Sequence, residues 1–148
     1  MPNPKKPCAK CYREICPSTV KRSVDKFCSM ACQHLHEYEE YVKSWLAGEK
    51  NGARGVVEVS YHVKRWLKDT YGEKCCQCGW AETNPHTRRI PLHLDHIDGN
   101  WRNNRPENLR LLCPNCHALT ATYGAQNRGN GRPFIVQKKA VTGGLKAS

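Results

Sequence analysis

The chain has 148 residues, 39% of them hydrophobic, and a formal net charge of +11 from 24 Lys and Arg against 13 Asp and Glu. That length holds one ordinary domain or two small ones, and the modest apolar content leaves only small cores. No apolar run is long enough to cross a bilayer, and Met1-Pro-Asn-Pro-Lys-Lys-Pro7 lacks the apolar stretch of a secretory signal. Small cores need staples, and the ten cysteines are their obvious source. In a reducing compartment paired cysteines bind zinc more often than they oxidise. Two four-thiolate zinc sites would lower the working charge to about +7, still strongly basic. The charge is also uneven: no acidic residue follows Glu107, whereas Arg110, Arg128, Arg132, Lys138, Lys139 and Lys146 do. Such an imbalance suits a polyanion, nucleic acid first among them, with a solubilising tail as the plain alternative.

In chain order, residues 1–47 read as an N-terminal zinc-binding module followed by a helix. Cys8-Ala-Lys-Cys11 and Phe27-Cys28-Ser29-Met30-Ala31-Cys32 are two knuckles separated by a polar loop, a common way to close a tetrahedral zinc site, with Cys16 left over. From Ser29 the pattern turns helical, with Leu35, Tyr38, Val42, Trp45 and Leu46 on one side and Gly48 as the stop. Core packing is the simplest use of that stripe. Residues 48–59, with three glycines, read as a linker. Residues 60–136 form the next unit, opening with a helix capped by Ser60 and ended by Gly72. Val63, Trp66 and Leu67 make its inner face, and Lys64, Arg65 and Lys68 its outer one. Residues 137–148 read as a basic, disordered tail.

The stretch after Cys75 is the most informative. Cys75 and Cys78 form one knuckle and Cys113 and Cys116 its partner, which together make a strong structural zinc signal, with Cys76 a spare thiol. Between them Leu92-His93-Leu94-Asp95 alternates like a strand, Asp98-Gly99-Asn100 marks a turn and Leu109 to Leu112 reads as the return strand. Pro114 then begins a knuckle leading into a short helix near Thr122. Strand, long loop, strand and helix under a zinc clamp make a ββα unit, and the chain a small, zinc-stabilised α+β protein.

A zinc ribbon does not need Asp95-His96 at the end of the first strand, Asn108 before the second, or His117 on the helix. Singly, each has an ordinary explanation as a turn, cap or local hydrogen-bonding residue. Jointly, a hairpin closed by a helix lets His117 face Asp95, and a carboxylate and an imidazole so placed bind a divalent cation with positions open to phosphate oxygens and water. Hydrolysis of a phosphodiester needs a group to take a proton from water and a group to stabilise charge developing on phosphate. Neutral His96 suits the first task, and a cation held by Asp95 and His117 the second. The Asn108 amide is no base, but it can tie down the loop and so orient His96.

The segments Leu94-Asp95-His96-Ile97-Asp98-Gly99-Asn100, Pro106-Glu107-Asn108-Leu109 and Leu112-Cys113-Pro114-Asn115-Cys116-His117 resemble the HNH nucleases. They are most similar to the phage-type and homing-endonuclease-like members framed by zinc knuckles. The resemblance runs from about Tyr61 to Arg132. It implies a ββα-metal, treble-clef-like core that presents its helix near the DNA minor groove. It also implies a one-metal DNA endonuclease in which Asp95 and His117 hold the catalytic ion, His96 is the general base and Asn108 orients the loop. The expected cofactors are Zn2+ at two structural sites, Cys8/Cys11/Cys28/Cys32 and Cys75/Cys78/Cys113/Cys116, and one Mg2+ or Mn2+, magnesium being the more available. His93, on the same strand face as Asp95, is a possible further or competing ligand. The N-terminal module also resembles small treble-clef-like or ribbon modules found ahead of such nucleases.

The expected partner is DNA, with no membrane and no small-molecule cofactor, and the expected location is the cytoplasm, the host's if the gene is phage-encoded, rather than outside the cell. Lys64, Arg65, Arg102, Arg105, Arg110, Arg128 and Arg132 are the candidate DNA contacts, since arginine forks match phosphate oxygens. A non-catalytic zinc-containing nucleic-acid-binding protein is the alternative, and an interaction adaptor built on residues 1–47 a second. Neither explains why Asp95, His96, Asn108 and His117 stand together.

Overall fold

The computed structural model describes residues 6–15 and 26–131. Its first helix, α1 (Met30–Leu46), begins where the Ser29 side chain accepts a hydrogen bond from Cys32 N. That cap satisfies one of the backbone donors a helix start leaves free. The helix ends just before Ala47, with Gly48 in left-handed backbone at φ 81°. Of the expected stripe, Val42 and Trp45 are buried, whereas Leu35 and Leu46 remain exposed. The inner face is narrower than the sequence implies because the helix that follows covers only one side of α1.

Residues 48–59, expected as a linker, carry a small antiparallel hairpin. Strand β1 (Ala53–Arg54) pairs with β2 (Glu58–Val59), Ala53 opposite Val59 and Arg54 opposite Glu58. Val59 is 2% exposed and packs into the same core as Trp45. Gly52 explains the misleading composition: at φ 72°, a Cβ on it would lie 2.7 Å from Trp45 Nε1 and 3.0 Å from Asn104 Cβ. The residue is glycine because the backbone passes close to a buried indole, as well as because it turns.

Helix α2 (Tyr61–Tyr71) is capped by Ser60, whose side chain accepts from His62 N, and is closed by Gly72. Its fully buried Val63 and Leu67 meet Trp45, Val59, Leu109 and Leu111 in one apolar core, with Trp66 edge-on to Trp45. Elements on both sides of residues 48–59 therefore share that core.

Strands β3 (His93–His96) and β4 (Leu109–Leu112) pair antiparallel, with His93 opposite Leu112, Leu94 opposite Leu111, Asp95 opposite Arg110 and His96 opposite Leu109. Alternation along a strand sets the two faces. Leu94, His96, Leu109 and Leu111 share one, and His93, Asp95, Arg110 and Leu112 the other. Leu112 joins Cys75 and Cys113 in a second buried cluster, and Leu92 packs against both clusters. Helix α3 (Pro114–Ala118) starts on Cys113, whose sulfur accepts from Cys116 N. It spans only 5 residues, and a 3-10 turn at Gly124–Asn127 stands where a helix near Thr122 was expected. Thr120 Oγ1 donates to His117 O at 2.9 Å, and this side-chain bond competes with continuation of the helix.

Candidate active site

Each expected knuckle pair comes together. The sulfurs of Cys8, Cys11, Cys28 and Cys32 lie within 4.8 Å of one another, as do those of Cys75, Cys78, Cys113 and Cys116. Burial acts to raise the Cys8 thiol, but backbone N–H groups of Cys11, Cys28 and Lys10 donate to the sulfur and bring it down to about 6. Cys75 behaves alike: burial opposes ionisation, and N–H groups of Cys113, Cys78 and Gln77 bring it down to about 6. The last thiol to ionise in each set, Cys28 and Cys116, is pushed up to about 12, chiefly by sharing its proton with the neighbouring sulfurs. Four cysteine sulfurs gathered this closely are a donor set that suits zinc.

Asp95 is 5% exposed. Arg110, directly across the ladder, donates through Nε to its Oδ2 at 2.7 Å, and His117 Nε2 approaches Oδ1 to 3.7 Å. The arginine thus occupies one carboxylate oxygen and leaves the other toward His117. Asp95 and His117 would be the residues to hold a divalent cation there, which would supply Lewis-acid chemistry. Burial, opposed by the pull of Asp95 and assisted by repulsion from His93 and Arg110, leaves His117 below the usual imidazole range, favouring the neutral form that ligates metal. His93 meets His117 rather than Asp95, Nδ1 to Nδ1 at 3.0 Å. Among the described residues only the two cysteine sets gather three or more ligand atoms within 4.8 Å.

His96 leaves the opposite strand face and is 8% exposed. Its Nε2 lies 2.8 Å from Asn104 Oδ1. Among the described residues no hydrogen bond links Asn108 to His96. Asn108 Nδ2 donates to Asp98 Oδ1 and Asn103 O, both at 2.8 Å, and its Oδ1 accepts from Asp98 N at 3.0 Å. Its bonds lie within the loop, while the direct partner of His96 is Asn104. Asp98 is the hub of that loop, accepting from Asn103 Nδ2 and Asn100 N as well. Burial opposes ionisation of Asp98, but the donors from Asn103, Asn100 and Asn108 outweigh it and hold the carboxyl below its usual range.

Asp95, His96, His117 and Trp101 border a shallow recess of about 220 Å³, together with Gly99 and Asn127. Asn127 Nδ2 donates to Gly99 O at 2.7 Å, and a Cβ on Gly99 would fall 2.5 Å from Asn127 Oδ1. Arg128 follows directly and is exposed. The other expected DNA contacts divide. Lys64 is exposed on α2, whereas Arg65 lies over the Tyr38 ring at 4.1 Å and 3.4 Å from Asp69. Arg102 rests on Trp101, Arg105 is 3.9 Å from Glu107, and Arg110 is engaged by Asp95. Arg132, Cys16 and residues 137–148 lie outside the described residues.

A hairpin followed by a short helix thus brings a carboxylate and two imidazoles to one recess, with the Cys75/Cys78/Cys113/Cys116 sulfurs gathered in the same unit. Residues 87–119, which carry Asp95, His96, Asn108 and His117, match the family described as HNH endonuclease. The H-N-H endonuclease F-TflIV of Escherichia phage T5 is 51% identical over 71 residues, covering 46% of this chain and 29% of that protein. The match thus spans less than a third of the relative's length. No solved structure matches the chain significantly.

Proposed function

We propose that the chain is a DNA endonuclease that hydrolyses phosphodiester bonds with one divalent cation. Asp95 and His117 hold that ion, Mg2+ or Mn2+, and the two four-cysteine sets hold structural Zn2+. Strands β3 and β4 with α3 form the family's ββα-metal unit. When bound, the catalytic cation stabilises negative charge developing on the phosphate and the leaving oxygen. His96 takes a proton from the attacking water as the oxygen–phosphorus bond forms and the bond to the leaving oxygen breaks. Arg110 orients Asp95 through its Nε bond, and Asn108 and Asp98 hold the loop that closes the recess. Exposed Lys64 and Arg128 contact phosphates.

The observation that carries this reading is the juxtaposition of adjacent residues with opposite outlooks. Asp95 turns to His117 at 3.7 Å and His96 to Asn104, while both border one recess. Supercoiled plasmid incubated with zinc-loaded protein should be relaxed or linearised when Mg2+ or Mn2+ is added. His96→Ala should abolish cleavage while leaving DNA affinity nearly unchanged. Binding without cleavage by the wild type on a broad panel of DNA, in either metal, would instead favour the non-catalytic nucleic-acid-binding module.

A further inference from the structure

His96 is held by a residue of the loop between β3 and β4. Its Nε2 lies 2.8 Å from Asn104 Oδ1, a contact between two buried side chains. An amide oxygen only accepts, so the ring proton resides on Nε2 and the neutral ring keeps its lone pair on Nδ1. Among the described residues nothing hydrogen-bonds to Nδ1, and the ring borders the recess shared with Asp95 and His117.

Asn104 is itself gripped. It is 5% exposed, and its backbone oxygen accepts from Trp45 Nε1 at 2.8 Å, a buried bond between residues 59 apart in sequence. Gly52 closes the other side, where an added Cβ would lie 3.0 Å from Asn104 Cβ and 3.1 Å from its backbone oxygen. Asn103, one residue earlier, serves a different purpose, donating to Asp98 within the loop. The two neighbouring asparagines therefore divide the work, one on the loop and one on the ring.

We propose that Asn104 is a positioning residue for the base. It holds His96 in the Nε2–H tautomer with the Nδ1 lone pair available to the recess, and Trp45 of α1 holds Asn104 in turn. The proposal rests on the assignment of His96 as the base. It makes α1 and the β1–β2 hairpin, both preceding residues 87–119, part of the apparatus that prepares the site for reaction.

The test uses the full chain loaded with zinc, with 15N-labelled histidine. The His96 tautomer is read by multiple-bond 1H–15N correlation at a pH where the ring is neutral. Single-turnover cleavage at saturating DNA and DNA affinity are measured beside it. The wild type should show Nε2–H. Asn104→Leu should lose that preference and cleave about 10- to 100-fold more slowly, with affinity little changed. Asn104→Asp restores an acceptor oxygen at the same place and should recover both the tautomer and most of the rate. A merely structural asparagine would give no such selective rescue. Trp45→Phe, which keeps the aromatic packing and removes the donor, should give a smaller loss of rate in the same direction.

Wild-type His96 in the Nδ1–H form would overturn the proposal even if Asn104→Leu failed to fold. So would an Asn104→Leu protein that cuts at the wild-type rate while His96→Ala does not cut. An inactive wild type whose ring is still Nε2–H, and loses that form in Asn104→Leu, would sink the nuclease reading while supporting the hold of Asn104 on the ring.

Discussion

At the scale of single residues, one carboxylate organises the loop between β3 and β4. Asp98 accepts from Asn100 N, Asn103 Nδ2 and Asn108 Nδ2 at 2.7 to 2.8 Å. Its depressed pKa fixes the direction of the pH effect. A carboxyl that ionises more readily folded than unfolded stabilises the fold above its ordinary range, and that contribution is lost as pH falls through the lower, folded value. Asp98→Ala should therefore cost roughly 1 kcal/mol at neutral pH, kept small by solvent exposure. Melting curves of the two proteins should converge under strongly acidic conditions. A gap that stayed constant down the pH range would mean that the charge of Asp98 contributes nothing. Asp95, His96, Asn108 and His117 were legible in the sequence because motif spacing places them. Asn104 carries no such motif signal. Its task follows from the face on which His96 emerges and from a bond to an indole far away in the chain, which no local pattern carries.

At the scale of elements, the thiol sets decide what is rigid. Cys113 is 5% exposed, lies in the second buried cluster with Cys75 and Leu112, and caps α3 through its sulfur. Structural zinc contributes about 10–16 kcal/mol of binding free energy in small peptides, comparable to or larger than the roughly 5–15 kcal/mol that keeps an ordinary domain folded. Cys113→Ser should therefore unfold the β3–β4–α3 unit, with zinc content dropping from about two ions to one by native mass spectrometry. A folded Cys113→Ser protein retaining both ions would contradict the assignment. Helices and knuckles were readable because caps, glycine stops and cysteine spacing are local signals. The β1–β2 hairpin was not, because strands of 2 residues have no periodicity and the burial of Val59 depends on Trp45 and Leu109. The shortness of α3 was hidden for a similar reason, since a side-chain hydroxyl ends it.

At the scale of the whole molecule, α1, the hairpin, α2 and β4 close around one apolar core. Loss of a buried aromatic alone typically costs about 3–5 kcal/mol. Deleting residues 1–47 removes Trp45 and Val42 and uncovers Val59, Val63 and Leu67, so the remainder should lose both cooperative unfolding in circular dichroism and cleavage. A folded, active remainder would restore the view of residues 1–47 as a detachable adaptor. Composition foretold the basic surface, but only the fold separates cations that are free from those already spent on Asp69, Trp101 or Asp95. The clasp between Asn127 and Gly99 bears on that same division. It fastens the segment bearing Arg128 to the turn that immediately follows His96, so that under the proposed function grip and scission would share one short lever. For the proposed enzyme, the offset between the phosphate it seizes and the phosphate it severs is gauged by a single amide, however long the chain between them.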